Sequence, residues 1–266
     1  MYVVLWEDGK VSIREAVEVV RPLTGARLRD AFVESLPAMT LGLIRYKRDF
    51  LTLGPLELLR FGPPVMTRSS VTWPIEGGLL ALRPGGEWRI QATGRLVDAT
   101  VTAYVPRLPR PLYVLSHLQV HLLFTRMFLL RLRGREPLPG TPAPSEDRVS
   151  AATVDAAMCW TLAGFVEGRK RLKTFLAVAV VYHVVCWSVS GRTLGGAVMG
   201  HRVVAVDGTR VTPQQAMLRL ALLPLAWITW RPLHDRLAYT AVVLDSPEKQ
   251  RGGRSAASLP QTKGSG

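Results

Sequence analysis

The chain has 266 residues, 48% of them hydrophobic, and a formal net charge of +14, with a positive mean hydropathy. That length suits one large domain or two ordinary ones. Its Lys and Arg residues punctuate apolar runs instead of gathering on one polar face, which excludes a nucleic-acid binder and fits a membrane protein with basic flanks.

The N-terminal part reads as an α+β domain over residues 1–134. Residues 2–6 and 11–13 form two short strands joined by the turn Glu7-Asp8-Gly9-Lys10. Residues 28–36 have helical spacing, which Pro37 closes. Residues 41–61 are mixed in pattern and punctuated by Gly54-Pro55 and Gly62-Pro63-Pro64. Strands follow at 69–75, 78–82, 87–93 and 96–105, separated by short Gly-containing turns. The last alternates cleanly, with Val97, Ala99, Val101, Ala103 and Val105 on one face, so the sheet has one buried side and is an antiparallel meander.

A proline-rich corner at 106–111 enters one long helix that starts at Pro111 and runs to Gly134. It is very apolar but carries His117, Gln119, His121 and Arg126, too many polar groups for a membrane span. His117 and His121 stand at i, i+4, a spacing that can hold a metal. No HExxH pattern accompanies them, so a polar stripe on a packed helix, or the wall of a ligand cavity together with Arg126, explains them better and no metal is expected.

Residues 135–147 hold four prolines and form an extended, stiff linker. Beyond it lies a membrane module, residues 148–245, with apolar runs at 149–166, 174–190 and 214–230. Each is near the length of a bilayer crossing, so an all-α module of about three transmembrane helices is expected. Basic residues at 168–173 connect the first two runs. Between the second and third, residues 201–206 and 209–211 form a hairpin around Asp207-Gly208. Pro213 opens the third helix, with Arg219 near its start. Residues 246–266 are polar, rich in Gly and Ser, and expected to be disordered.

Two aspartates stand out. Asp155 lies inside the first run and Asp235 just past the third. Arg148 precedes Asp155 by seven residues, two helical turns, so the two can share a face. The run Arg148-Val-Ser-Ala151-Ala152-Thr-Val154-Asp155, the segment Thr193-Leu-Gly195 with Gly200-His-Arg202-Val203-Val204-Ala-Val-Asp207-Gly208, and the end Leu233-His234-Asp235-Arg-Leu-Ala238-Tyr-Thr240 occur in that order. Over residues 145–245 this resembles the RDD family of integral membrane modules. The resemblance implies transport, with monovalent cation/proton exchange among its members. Gly196-Ala197 stand where the family has a basic residue. Arg148, Asp155 and Asp235 form either a structural charge network or an ion path.

The order of strands, helix, meander and long final helix in the N-terminal part is similar to the START-like, helix-grip fold of polyketide cyclases and lipid-transfer proteins. That likeness implies a cavity for a lipid or another apolar small molecule. Cys159 and Cys186 lie within apolar runs and read as packed thiols. The N-terminal residues lack the basic stretch of a signal peptide, which places the α+β domain in the cytoplasm beneath a multi-pass cell-membrane anchor. No cofactor, catalytic motif or nucleic-acid partner is expected, so the chain reads as a non-enzymatic binding or regulatory protein. Its partners are the bilayer, an apolar ligand and, as a homo-oligomer, copies of itself. The other reading is a transporter using the Arg/Asp/Asp constellation.

Overall fold

The computed structural model describes residues 2–165, 170–229 and 231–245. Val166, Gly168-Arg169 of the basic connection, Trp230 and the tail 246–266 lie outside the described residues.

A hairpin opens the chain: β1 (Tyr2–Glu7) and β2 (Lys10–Glu18) turn at Asp8 and Gly9, both at positive φ. β2 runs further than the sequence suggested because its alternation continues, burying Val11, Ile13, Glu15 and Val17. Helix α1 (Gly25–Met39) is capped by Thr24 and contains Pro37 instead of ending at it. The proline falls in the last turn, where few intrahelical bonds remain to lose, and the Thr40 hydroxyl donates to Leu36 O at 2.7 Å to finish the helix. The segment that looked mixed is three short strands, β3 (Ile44–Lys47), β4 (Phe50–Leu53) and β5 (Leu56–Phe61). Arg48 and Asp49, both left-handed, make the first turn between them.

After β6 (Val65–Met66) come β7 (Ser70–Gly77), β8 (Glu87–Thr93) and β9 (Leu96–Tyr104). The strand expected at 78–82 is absent. Gly77 and Gly78 take positive φ there, and the chain crosses over β5, where Leu79 and Leu80 donate to Glu57 O and Leu58 O. The alternation of β9 also breaks. Ala103 sits at φ 50°, so Tyr104, expected outside, turns into the core. All pairings are antiparallel, in the order β1-β2-β9-β8-β7-β5-β4-β3, with β6 on β7. The first long strand and the last are therefore neighbours.

The expected single long helix is two: α2 (Arg110–Leu115) and α3 (His117–Arg133), broken at Ser116, whose backbone is not helical. α1 and α3 cover the same side of the sheet. Phe32 of α1 is the hub, 4.9 Å from Trp73, 5.9 Å from Trp88 and 5.7 Å from Phe128 of α3 between ring centroids. An α+β domain with a buried aromatic core is thus present.

The C-terminal module is not all-α. It comprises α4 (Ser145–Ala163), α5 (Lys170–Val189), α6 (Leu194–Val198), β10 (His201–Ala205), α7 (Pro213–Ala221), α8 (Leu223–Thr229), α9 (Leu233–Leu237) and β11 (Thr240–Leu244). β10 pairs with β11, not with residues 209–211. Asp207-Gly208 does turn tightly, but Pro213 starts α7 before a return strand can form. The linker is docked along β11, with Ala143 N–H on Val242 O and Leu244 N–H on Thr141 O, both 2.9 Å.

Among the described residues only α5 is long and apolar enough to cross a bilayer. α4 has the length but carries Glu146, Asp147, Arg148 and Asp155. The third run is divided at Leu222 into α7 and α8, because Pro224 has no N–H to give and its ring crowds the Leu220 carbonyl. α5 buries only Trp187 and exposes Leu176, Val181, Val185 and Val189. An apolar surface of that extent on a single helix needs a cover other than water.

Candidate functional site

Helix α4 buries one residue in four: Ala151, Asp155, Cys159 and Ala163. This is the stripe that the helical period aligns on one face. Short side chains on it let neighbours approach. A Cβ on Gly195 would stand 2.1 Å from Ala151 O, so α6 rests directly on the α4 backbone.

Asp155 is held at that junction. Its Oδ1 accepts from Tyr182 Oη and from the Gly195 N–H, both at 2.8 Å. The same Tyr182 oxygen accepts from the Leu194 N–H at 2.6 Å. Asp155 thus ties α4, α5 and the start of α6 together. His183 Nε2 lies 4.0 Å from Oδ2. His183 Nδ1 is 2.8 Å from the Ala179 carbonyl, which can only accept, so the proton sits on Nδ1. Nε2 of the same ring faces the carboxylate.

Asp235 forms a second centre. Arg148 Nη2 donates to its Oδ2 and Arg219 Nη1 to its Oδ1. Thr240 Oγ1 donates to Oδ1 at 2.8 Å and accepts from Arg219 at 3.0 Å. Arg219 also lies over the Trp187 ring, 4.7 Å from its centroid. Arg135 of the linker donates to Asp235 O at 3.0 Å and Thr240 O at 3.1 Å, fixing the backbone of the same turn. The expected constellation is therefore split. Arg148 pairs with Asp235, and Asp155 has different partners. A single face carries Arg148 and Asp155, but the Arg148 guanidinium reaches across to α9.

Both centres border one cavity of about 400 Å³. Arg148, Asp155, His183, Arg219, His201 and His234 line it, and the Asp235 carboxylate lies behind its two arginines. Sequence reasoning passed over Arg219, Tyr182 and Thr240 as members. Arg219 was the findable one, since an arginine within an apolar run is costly unless paired.

In the α+β domain, His117 and His121 do flank a space of about 80 Å³ between α3, α1 and the sheet, with Phe124, Trp88 and Leu51. His117 packs on Tyr113 and His121 edge-on to Trp88, at 5.0 and 5.7 Å. Burial lowers their pKa values to about 4 and about 3, with His117 adding to the effect on His121, so both are neutral near pH 7. No cluster of metal-ligating side chains occurs among the described residues.

Arg126 does not join that space. It points to the module, donating through Nη2 to Asp207 Oδ1 and Oδ2, while its Nε lies 3.6 Å from Glu15 Oε1 of β2. All three side chains are nearly or fully buried. Ala205 and Val206 of the module enter the core of the α+β domain beside this triad, and Gln214 donates to Gln119 of α3. Burial raises Glu15 to about 7 despite the opposing pull of Arg126.

No curated protein and no solved structure matches the chain. Residues 172–246 match the RDD family, a stretch that contains Tyr182, His183, Arg219 and Asp235 and begins after Arg148 and Asp155, and this match suggests a membrane protein.

Proposed function

We propose that this chain is a non-enzymatic integral membrane protein. Its RDD module is embedded through α4, α5 and the α7–α8 pair, and the α+β domain is a regulatory domain on the cytoplasmic side that responds to a lipid chain or another apolar ligand. The observation that carries this is the double use of α3. One stretch of the helix, His117 to Thr125, walls the apolar space, and the next residue, Arg126, is the buried ion-pair link to the module. A ligand that shifts α3 shifts the group on which Asp207 depends. The strand order, with the first long strand beside the last and α3 across the sheet, is in keeping with a helix-grip arrangement.

The space of about 80 Å³ is below the roughly 300 Å³ of an ordinary ligand site. It suits the end of an apolar chain more than a whole lipid. Native mass spectrometry of the full chain released from detergent tests this. The reading expects a co-purifying apolar molecule that is lost in Leu51→Trp, which fills the space. A chain that carries no such molecule, and binds no medium-chain fatty acid when one is added, is incompatible with it. Protease protection in sealed vesicles reads the orientation.

A second reading, proton-coupled cation transport, is favoured by the pairing of two ionisable groups, His183 and Asp155, at the cavity wall. The arginines around that cavity weigh against it, since they repel a cation. Proton and cation flux in proteoliposomes separates the two readings. If exchange occurs and Asp155→Asn abolishes it, transport is the function.

A further inference from the structure

The cavity between α4, α5 and α8 has more positive charge than its carboxylates neutralise. Arg148, Arg202, Arg219 and Arg231 line it, and Asp155 is the one carboxylate among its lining residues. Asp235, behind the wall, is shared by two arginines, and Asp245 is shared by Arg192 and Arg202.

The donors are also incompletely used. Arg219 Nε and Arg202 Nε are buried donors with no hydrogen-bond partner among the described residues, His201 Nδ1 is likewise unpartnered, and each belongs to a side chain that lines the cavity. Buried N–H groups are seldom left without an acceptor. Two guanidinium N–H groups without acceptors, around one space with excess positive charge, call for an anion with several oxygens. Guanidinium forks suit phosphate in particular.

The rest of the lining names the setting. Val149 of α4 and Leu223 and Ala226 of α8 are apolar members of the wall, and Val149 also faces outward. The volume, about 400 Å³, falls within the range of small-ligand sites.

We propose that this cavity is an anion site that takes a phosphate group, carried by an acidic phospholipid or free in solution. It is independent of any ligand in the α+β domain. Asp155 is one carboxylate against four arginines in the lining, and its Oδ1 is turned to two donors from α5 and α6.

The test uses the full-length protein in detergent, with size-exclusion and circular dichroism as the check on folding. Native mass spectrometry measures retention of phosphatidylglycerol against phosphatidylcholine, and calorimetry measures binding of inorganic phosphate. A preference for phosphatidylglycerol, weakened about tenfold in Arg231→Gln and in His201→Gln, supports the site, as expected when a charge-assisted bond is lost. Arg21→Gln, on the exposed surface of the other domain, should leave the preference unchanged. Phosphate binding with the same response to the two variants identifies the free anion as the source, and lipid preference without phosphate binding identifies the headgroup. Equal retention of both lipids with no phosphate binding overturns the proposal. So does a preference that all three variants leave intact, because general surface charge would then explain it.

Discussion

Arg126 of α3 donates through Nη2 to both carboxylate oxygens of Asp207, at 3.0 and 2.9 Å, across the boundary between the α+β domain and the module. With Glu15 on its other side, the guanidinium is one cation between two carboxylates in a buried place. Removing one partner of such a group is far costlier than replacing all of them.

Arg126→Met leaves Glu15 and Asp207 facing each other without a cation. The expected loss in unfolding free energy is about 3–5 kcal/mol, read by chemical denaturation in detergent. Adding Glu15→Gln and Asp207→Asn to the same chain should return most of it. A triple variant no more stable than Arg126→Met would show that the charges are not what the site depends on.

The pH dependence has a definite sign. Glu15 is raised by burial from 4.5 to about 7 in the folded chain, so the folded state holds the proton that the unfolded state has released. Stability from this group is therefore full below pH 4.5 and falls as pH rises to about 7. His117 and His121, lowered to about 4 and about 3, act in the opposite direction. They stabilise above their unfolded value near 6.5 and lose that contribution as pH falls through their folded values. In denaturation at a series of pH values, Glu15→Gln should remove the decline between pH 4.5 and 7 and leave the acid-side loss in place.

Asp155 discriminates between shape and charge. Asp155→Asn keeps an acceptor for Tyr182 and Gly195 and should cost about 1 kcal/mol or less. Asp155→Leu leaves a buried hydroxyl and a buried N–H unpaired and should cost roughly 2–6 kcal/mol, at 1–3 for each orphaned donor. Thermal melts in detergent rank the two. Equal melting temperatures would mean that these hydrogen bonds do not hold α4, α5 and α6 together.

Gly195→Ala tests the close approach itself. The new methyl would meet the Ala151 carbonyl at 2.1 Å, and backbone on both sides leaves no flexible atom to yield. The expected outcome is separation of α6 from α4, seen as faster hydrogen exchange of the amide at position 195, with α5 unchanged. Gly9→Ala, at an open turn, should affect neither helix.

Much of this was legible from residue order. The period of two over 87–105 and the Gly-marked turns led to strands that are present, and the motifs at 193–195, 200–208 and 233–240 led to the family that residues 172–246 match. Long-range partners were not legible. Nothing local to Arg148 says that it reaches Asp235, 87 residues away, instead of Asp155 on its own helix face. β10 pairs with β11 because the linker and α9 carry β11 to it, whereas the Asp-Gly turn suggested a local hairpin. The short strands between 44 and 61 escaped because the first turn between them uses Arg48 and Asp49 at positive φ, a conformation usually signalled by glycine. Ala103 hid the inward turn of Tyr104 in the same way.

The central claim is that the interior of the α+β domain is felt by the module through α3 and Arg126. Hydrogen exchange on the full chain, with and without saturating medium-chain fatty acid, tests it most directly. The account predicts slower exchange in residues 117–125 and also in 203–209 of the wild type, with the second effect lost in Arg126→Met. Protection confined to 117–125, or no protection anywhere, would contradict it.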